Sequence, residues 1–335
     1  MTMLAAVCHV SDQPLVIEQR PMPEPGPGEV LVRIERCGIC GSELHSADGP
    51  ARSFPGGLVF GHEYAGRVVT LGDGVDGLRE GDLVALYPAV GCGSCAACQR
   101  GNAILCPKAS RLLGGYAQYA CIPAEAAIAL PAGLTAADGA LVEPLAVSYY
   151  GAKSARFTGD ERVLVLGAGS IALAAAYWAK RLGAARIVVM SRSTARADMA
   201  KAMGADAFVA YGENELREVA DALGGAPDVV FECIGSPGFL GKAIDHAAPF
   251  ARVVSLGLSR AADPVLPIAA GMKDLTITFP VGYSIEDFRH VAQTMLEGSI
   301  DPKHMITSVV PLANVPEKFA QLLQGHADTK VQIAP

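Results

Sequence analysis

At 163–179 an uncharged run, VLVLGAGSIALAAAYWA, breaks at two closely spaced glycines and leaves few options for the chain around it. A membrane span needs about 20 uninterrupted apolar residues, so the run reads as a short buried strand turning into a helix. The alternation then repeats: RIVVM, a helix over 194–203, AFVA, a helix over 213–223, PDVVFEC, a helix over 237–247, ARVVSLG and DLTITFP. Strands buried on both faces and separated by helices predict a doubly wound parallel sheet. In that setting Gly167 permits the tight turn, Gly169 lets the backbone approach a pyrophosphate, and Ala172 keeps helix and strand close. The helix start at Ser170 and Ile171 offers free N–H groups to the anion. A dinucleotide site is expected here, with a merely structural Gly-rich turn as the plainer alternative.

Before and after this block the rhythm differs. From Leu4 to about Leu145, short runs such as EVLVRIERCG, GHEYAGRVVTLGDGV and GDLVALYPAV alternate in the manner of strands in an all-β unit. Beyond Gly282 a helical stretch, SIEDFRHVAQTMLEG, precedes short β-like pieces ending in TKVQIAP. A discontinuous first domain, 1–146 with 285–335, and a nucleotide-binding domain inserted at 147–284 account for this order. The length of 335 residues suits two cores rather than one.

A formal net charge of −7 argues against a nucleic-acid partner, which usually meets a basic face. The start of the sequence lacks the basic residues and long apolar core of an export signal, so a cytoplasmic setting is expected. In a reducing compartment, clusters among the nine cysteines suggest metal rather than disulfides.

CGSCAACQRGNAILC places Cys92, Cys95, Cys98 and Cys106 at the spacing C-x2-C-x2-C-x7-C. Four thiolates from one loop can close a tetrahedral structural zinc site. An iron–sulfur pattern begins the same way, but it has a shorter last gap and a second set that this chain lacks. A dispersed group comprises Cys40 in CGICGSELH, His62 and Glu63 in GHE, and Glu143 in LVEPLAV. Thiolate, imidazole and carboxylate donors with one position left open describe a catalytic zinc. Singly, each residue has a plainer role. His62 could be a hydrogen-bonded turn residue, and Glu143 before Pro144 could mark a domain boundary. Cys37 and Cys40 could be a redox pair, although the βαβ unit such pairs favour is missing there.

Taken together and in this order, CGICGSELH, GHEYAGRVVTLGDGV, the four-cysteine loop, GGYAQY, LVEPLAV, VLGAGSIAL and SIDPKHMIT span essentially the whole chain. They resemble the zinc-dependent alcohol and polyol dehydrogenases of the medium-chain dehydrogenase/reductase superfamily. The resemblance implies an α/β fold in which a GroES-like, β-rich catalytic domain carries an inserted Rossmann domain. It further implies two zinc ions per subunit, a nicotinamide cofactor, a small-molecule alcohol or carbonyl substrate, a homodimer or homotetramer, and no membrane partner. It assigns Cys40, His62, Glu63 and Glu143 to the catalytic zinc, and a proton relay to Ser42 and His45. The glutamate before proline looks like the sorbitol, threonine and secondary-alcohol branch, which leaves an L-threonine or sugar dehydrogenase as alternatives. A non-enzymatic nucleotide-binding relative is a further alternative, against which the intact Cys40, Ser42, His62 and Glu63 speak. Two departures stand out: Glu43 where many relatives have aspartate, and SYY at 148–150 where many have His-Ala.

Cofactor choice is read from VVMSRSTARADMAKAMGAD at 188–206. An acid at its turn would accept hydrogen bonds from the adenosine ribose and repel a 2′-phosphate. Here Ser191 can donate to a phosphate and Arg192 can stack on it or pair with it, with Arg196 one helical turn further on. NADP is the expected cofactor; NAD, with both arginines solvated, is the alternative.

Overall fold

The structure, a computed structural model, describes residues 1–259, 261–325 and 327–335. The chain divides into two compact units. One comprises Met1–Glu143, Ser284–Leu296 and Ile306–Pro335; the other comprises Pro144–Tyr283 and Glu297–Met305.

In the first unit, β1 (Glu29–Gly38) leads through Ile39 and Cys40 into helix α1 (Gly41–Ala47). Cys40 is the N-cap, and its N–H donates to Glu43 Oε2 at 3.1 Å, which ties the first turn back to the end of β1. β2 (Glu63–Leu71) pairs antiparallel with β1, and Gly38 stands opposite Glu63.

The second unit holds the strand–helix alternation. Its parallel strands are β3 (Arg162–Leu166), β4 (Arg186–Ser191), β5 (Ala207–Ala210), β6 (Val229–Glu232), β7 (Arg252–Ser255) and β8 (Thr276–Thr278). They lie in the order β5-β4-β3-β6-β7-β8, with α2 (Ser170–Arg181) following β3. Leu164, Leu166, Val188, Met190, Val230 and Val253 form the core of this sheet, as expected for strands covered on both faces.

Two local features differ from the sequence reading. The stretch expected as one helix over 194–203 is a 3-10 turn, Thr194–Arg196, followed by helix Ala197–Ala202. Arg196 leaves helical geometry at φ −108° and ψ 14°. The segment 297–305, expected in the first domain, belongs to the second unit. There Arg181 Nη1 donates to the Glu297 carbonyl at 2.8 Å, and Ile300 packs where a Cβ on Gly204 would lie only 3.0 Å away.

The chain closes with β9 (Lys330–Ala334), antiparallel to β1, with Gln332 opposite Gly38. β1 therefore runs between β2 and β9, and Val32, Ile34, Tyr64, Val68, Ile122 and Ile333 pack into one core. Among the described residues no helix is long and apolar enough to cross a membrane.

Candidate metal centres and cofactor loop

The end of β1 and the start of β2 bring three side chains together. Cys40 Sγ, a ring nitrogen of His62 and a carboxylate oxygen of Glu63 all lie within 4.8 Å of one another. Tetrahedral zinc bonds of about 2.0–2.3 Å separate ligand atoms by roughly 3.3–3.8 Å, so small adjustments would close this group on an ion. His62 Nδ1 lies 2.8 Å from Glu43 Oε1, which leaves the other ring nitrogen toward Cys40. Burial opposes charge on His62, yet Glu43 and Cys40 raise its pKa well above the usual imidazole value.

Glu63 is engaged elsewhere as well. Its carboxylate is 1% exposed and accepts from Lys330 Nζ at 2.6 and 2.8 Å, while Nζ also donates to the Ile39 carbonyl at 3.3 Å. Burial disfavours the ammonium, but Glu63 and Cys40 outweigh it and hold the Lys330 pKa above its ordinary value. The pair crosses β1 at Gly38, where a Cβ would lie 2.0 Å from Glu63 Oε2. Sequence reasoning had no place for Lys330; the available signal was a glycine opposite the glutamate, uninterpretable before strand pairing was known. Glu143 is buried and its charge reaches Lys330, but it lies outside the group formed by Cys40, His62 and Glu63. Ser42 Oγ donates to Cys40 Sγ at 3.2 Å, and His45 is exposed on the same helix. Cys37 is fully buried and joins neither cysteine-containing group; it and Cys40 are both free thiols.

The sulfurs of Cys92, Cys95, Cys98 and Cys106 form the second group, again within 4.8 Å of one another. Cys106 Sγ accepts from the N–H groups of Cys92 at 3.4 Å and Lys108 at 3.3 Å, and Cys95 and Cys98 Sγ are 3.6 Å apart. Backbone and side-chain bonds from Ser94 bring the Cys92 thiol down to about 5, so it is readily available as a thiolate. Gly91 leaves room for the cluster, since a Cβ there would sit 2.4 Å from Cys98 Sγ.

In the other unit, Gly167 turns at φ 108° and its N–H donates to the Met190 carbonyl at 2.8 Å. Gly169 caps α2 in an extended conformation, and among the described residues, its own chain neighbours aside, no atom lies within 4 Å of the place a Cβ would occupy. The backbone face between Gly169, Ser170 and Ile171 is therefore open to an anion. Ala172 is fully buried, 3.6 Å from a Cβ placed on Gly167, which accounts for its small side chain. Ser148, first residue of the SYY departure, is buried and donates to the Ile171 carbonyl at 3.1 Å, bracing this loop.

At the end of β4, Ser191 is half-buried and Arg192 exposed, while Arg196 Nη1 donates to the Ala168 carbonyl at 3.0 Å. Tyr211, just past β5, joins them: its N–H donates to the Ser191 carbonyl at 2.9 Å. Its hydroxyl is buried with no hydrogen-bond partner among the described residues; burial and the charges of Glu215 and Glu232 raise its pKa, and Arg192 opposes them. No local pattern singled out Tyr211, because a tyrosine after a short strand is unremarkable until β4 and β5 are side by side.

Residues 26–132 match the family of alcohol dehydrogenase GroES-like domains, and residues 170–297 match the zinc-binding dehydrogenase family. Sorbitol dehydrogenase from Gallus gallus is 32% identical over 343 residues, covering 96% of this chain and 94% of that protein. A protein from Sinorhizobium meliloti 1021, described as a zinc-binding dehydrogenase bound to NADP, is similar at a TM-score of 0.90 and 27% identity, with 100% of both chains covered. An alcohol dehydrogenase from Escherichia coli CFT073, complexed with NADH, is similar at 0.90 and 28%, also with 100% of both chains covered.

Proposed function

This chain belongs to the zinc-dependent medium-chain dehydrogenases, in their polyol dehydrogenase branch, and on that premise we propose that it moves a hydride between a polyol or secondary alcohol and NADP. The grouping of Cys40, His62 and Glu63 supports a catalytic zinc, and the four-cysteine loop a structural one. When bound, zinc supplies Lewis acidity to an alcohol oxygen, and the nicotinamide supplies the hydride acceptor. The protein positions and moves the proton. Ser42, beside Cys40, takes it from the substrate hydroxyl, and the exposed His45 on the same helix passes it to water. Cys40 and His62 are the permanent ligands in this reading. Glu63 is a conditional one, restrained by Lys330, and Glu143, whose charge also acts on that ammonium, is a second conditional ligand.

The preference for NADP rests on Ser191 and Arg192 at the end of β4, with Tyr211, whose N–H is bonded to the Ser191 carbonyl, adding a hydroxyl that has no partner among the described residues. Three donors there suit a 2′-phosphate better than bare ribose hydroxyls. Of the two acids whose charges act on Tyr211, Glu215 is held by Lys242 and the Gly212 N–H, and Glu232 by the N–H groups of Ile234 and Gly235 and the Ser255 hydroxyl. Ser191→Asp should shift the ratio of kcat/KM values toward NAD by at least about tenfold, roughly 1.4 kcal/mol. A wild-type enzyme that prefers NAD overturns this part of the reading.

A homodimer or homotetramer is the assembly we favour. Leu266, Ile268, Met272 and Phe279 are exposed along the chain flanking β8, the edge strand of its sheet.

A further inference from the structure

One carboxylate holds both permanent ligand segments at once. Glu43 Oε1 accepts from the Gly61 N–H and faces His62 Nδ1, each at 2.8 Å. Its Oε2 accepts from the Cys40 N–H at 3.1 Å and from the Tyr116 hydroxyl. Cys40 precedes α1 and His62 precedes β2, so Glu43 couples the placement of one ligand to that of the other. Glu43 is 4% exposed and Tyr116 0%, which leaves little room for water to replace a lost donor.

The tyrosine is itself rigidly aimed. Its ring meets Phe60 edge-on at 6.4 Å and Phe319 at 6.3 Å. Its backbone is bonded on both sides, from the Ala6 N–H at 2.8 Å and to the Phe60 carbonyl at 2.9 Å. The hydroxyl therefore reaches Glu43 from a fixed direction and selects one rotation of the carboxylate plane.

We propose that Tyr116 is a positioning residue for metal capture, acting through Glu43 to hold the His62 ring and the Cys40 segment convergent on one ion. The inference rests on the reading of Cys40 and His62 as zinc ligands. Without the hydroxyl, Oε2 keeps only the Cys40 N–H, the carboxylate can turn, and the His62 ring loses its fixed orientation. Losing such an outer partner typically weakens metal binding by about 10–100-fold.

The test uses zinc-loaded wild type and Tyr116→Phe, which removes one oxygen and keeps the ring. Each is titrated with a chelator of known zinc affinity while released zinc is counted per chain. Wild type should hold two ions. Tyr116→Phe should release one of them at least about tenfold more readily, with the ion of the four-cysteine loop unaffected. Glu43→Asp shortens the arm and withdraws it from Tyr116. In that background Tyr116→Phe should add less than about twofold, as for two residues acting as one unit. Superimposable release curves for wild type and Tyr116→Phe overturn the proposal, as does equal weakening of both ions, which marks general loosening. A wild type that binds only the four-cysteine ion overturns the zinc reading of Cys40 and His62, and this proposal with it.

Discussion

Glu63 and Lys330 come from distant parts of the chain, and Gly38 is the residue that lets them meet. Both charged groups are almost fully buried, at 1% and 2% exposure, so removing either leaves the other without its closest partner. Replacing Lys330 with Met should cost about 3–5 kcal/mol, because an unpaired carboxylate then remains inside. Denaturant midpoints will show this, and adding Glu63→Gln should recover much of the loss. An undiminished Lys330→Met protein means that Glu63 finds another cation. At this scale, Cys40, His62 and Ser42 were singled out because thiolate, imidazole and hydroxyl groups carry their chemistry in their residue type, and the structure brings them together. Glu43 was noticed only as a substitution for aspartate, although it contacts His62, Gly61, Cys40 and Tyr116 together.

Between residue and domain stands the turn that launches β3. Glu161 is 3% exposed and accepts from Thr158 N–H at 2.7 Å, Thr158 Oγ1 at 2.9 Å, Gly159 N–H at 3.0 Å and Arg252 Nη2 at 3.0 Å. Burial by itself would raise its pKa, but these donors bring it from 4.5 down to about 2. A depressed folded-state pKa stabilises the fold above the unfolded value, and that contribution is lost as pH falls from about 4.5 to about 2. Glu161→Gln should therefore lower the neutral-pH melting temperature and flatten the acid decline within that window. The contribution at stake is on the order of 1–3 kcal/mol. A variant with the wild-type acid profile would show that Glu161 is not the group titrating there. The parallel strands themselves were easy to read, since strands covered on both faces appear as unbroken apolar runs. The break at Arg196 was not, because its side chain bonds to the Ala168 carbonyl of a separate turn.

For the whole protein, metal content separates the two cysteine-containing groups. Cys40→Ser should fold, keep about half of the wild-type zinc and lose nearly all turnover; full activity in that variant removes the proposed mechanism. Cys95→Ser should lose the other half and unfold at lower temperature, with a milder direct effect on chemistry. Sedimentation of the wild type should show a dimer or tetramer, and a monomer at micromolar concentration counts against the exposed residues near β8 as an interface.

Alternation of strand and helix, glycines at a phosphate turn and cysteines at fixed spacing leave marks within short windows of sequence. These marks sufficed to recognise the sheet, the glycine-rich turn and most of the residues that now lie together in two groups able to hold a metal ion. The Glu43–Tyr116 contact, the Glu63–Lys330 pair, the segment 297–305 and Tyr211 beside Ser191 were decided by the tertiary structure alone. Each joins residues far apart along the chain through strand pairing or burial, and no local periodicity records which distant segments will become neighbours.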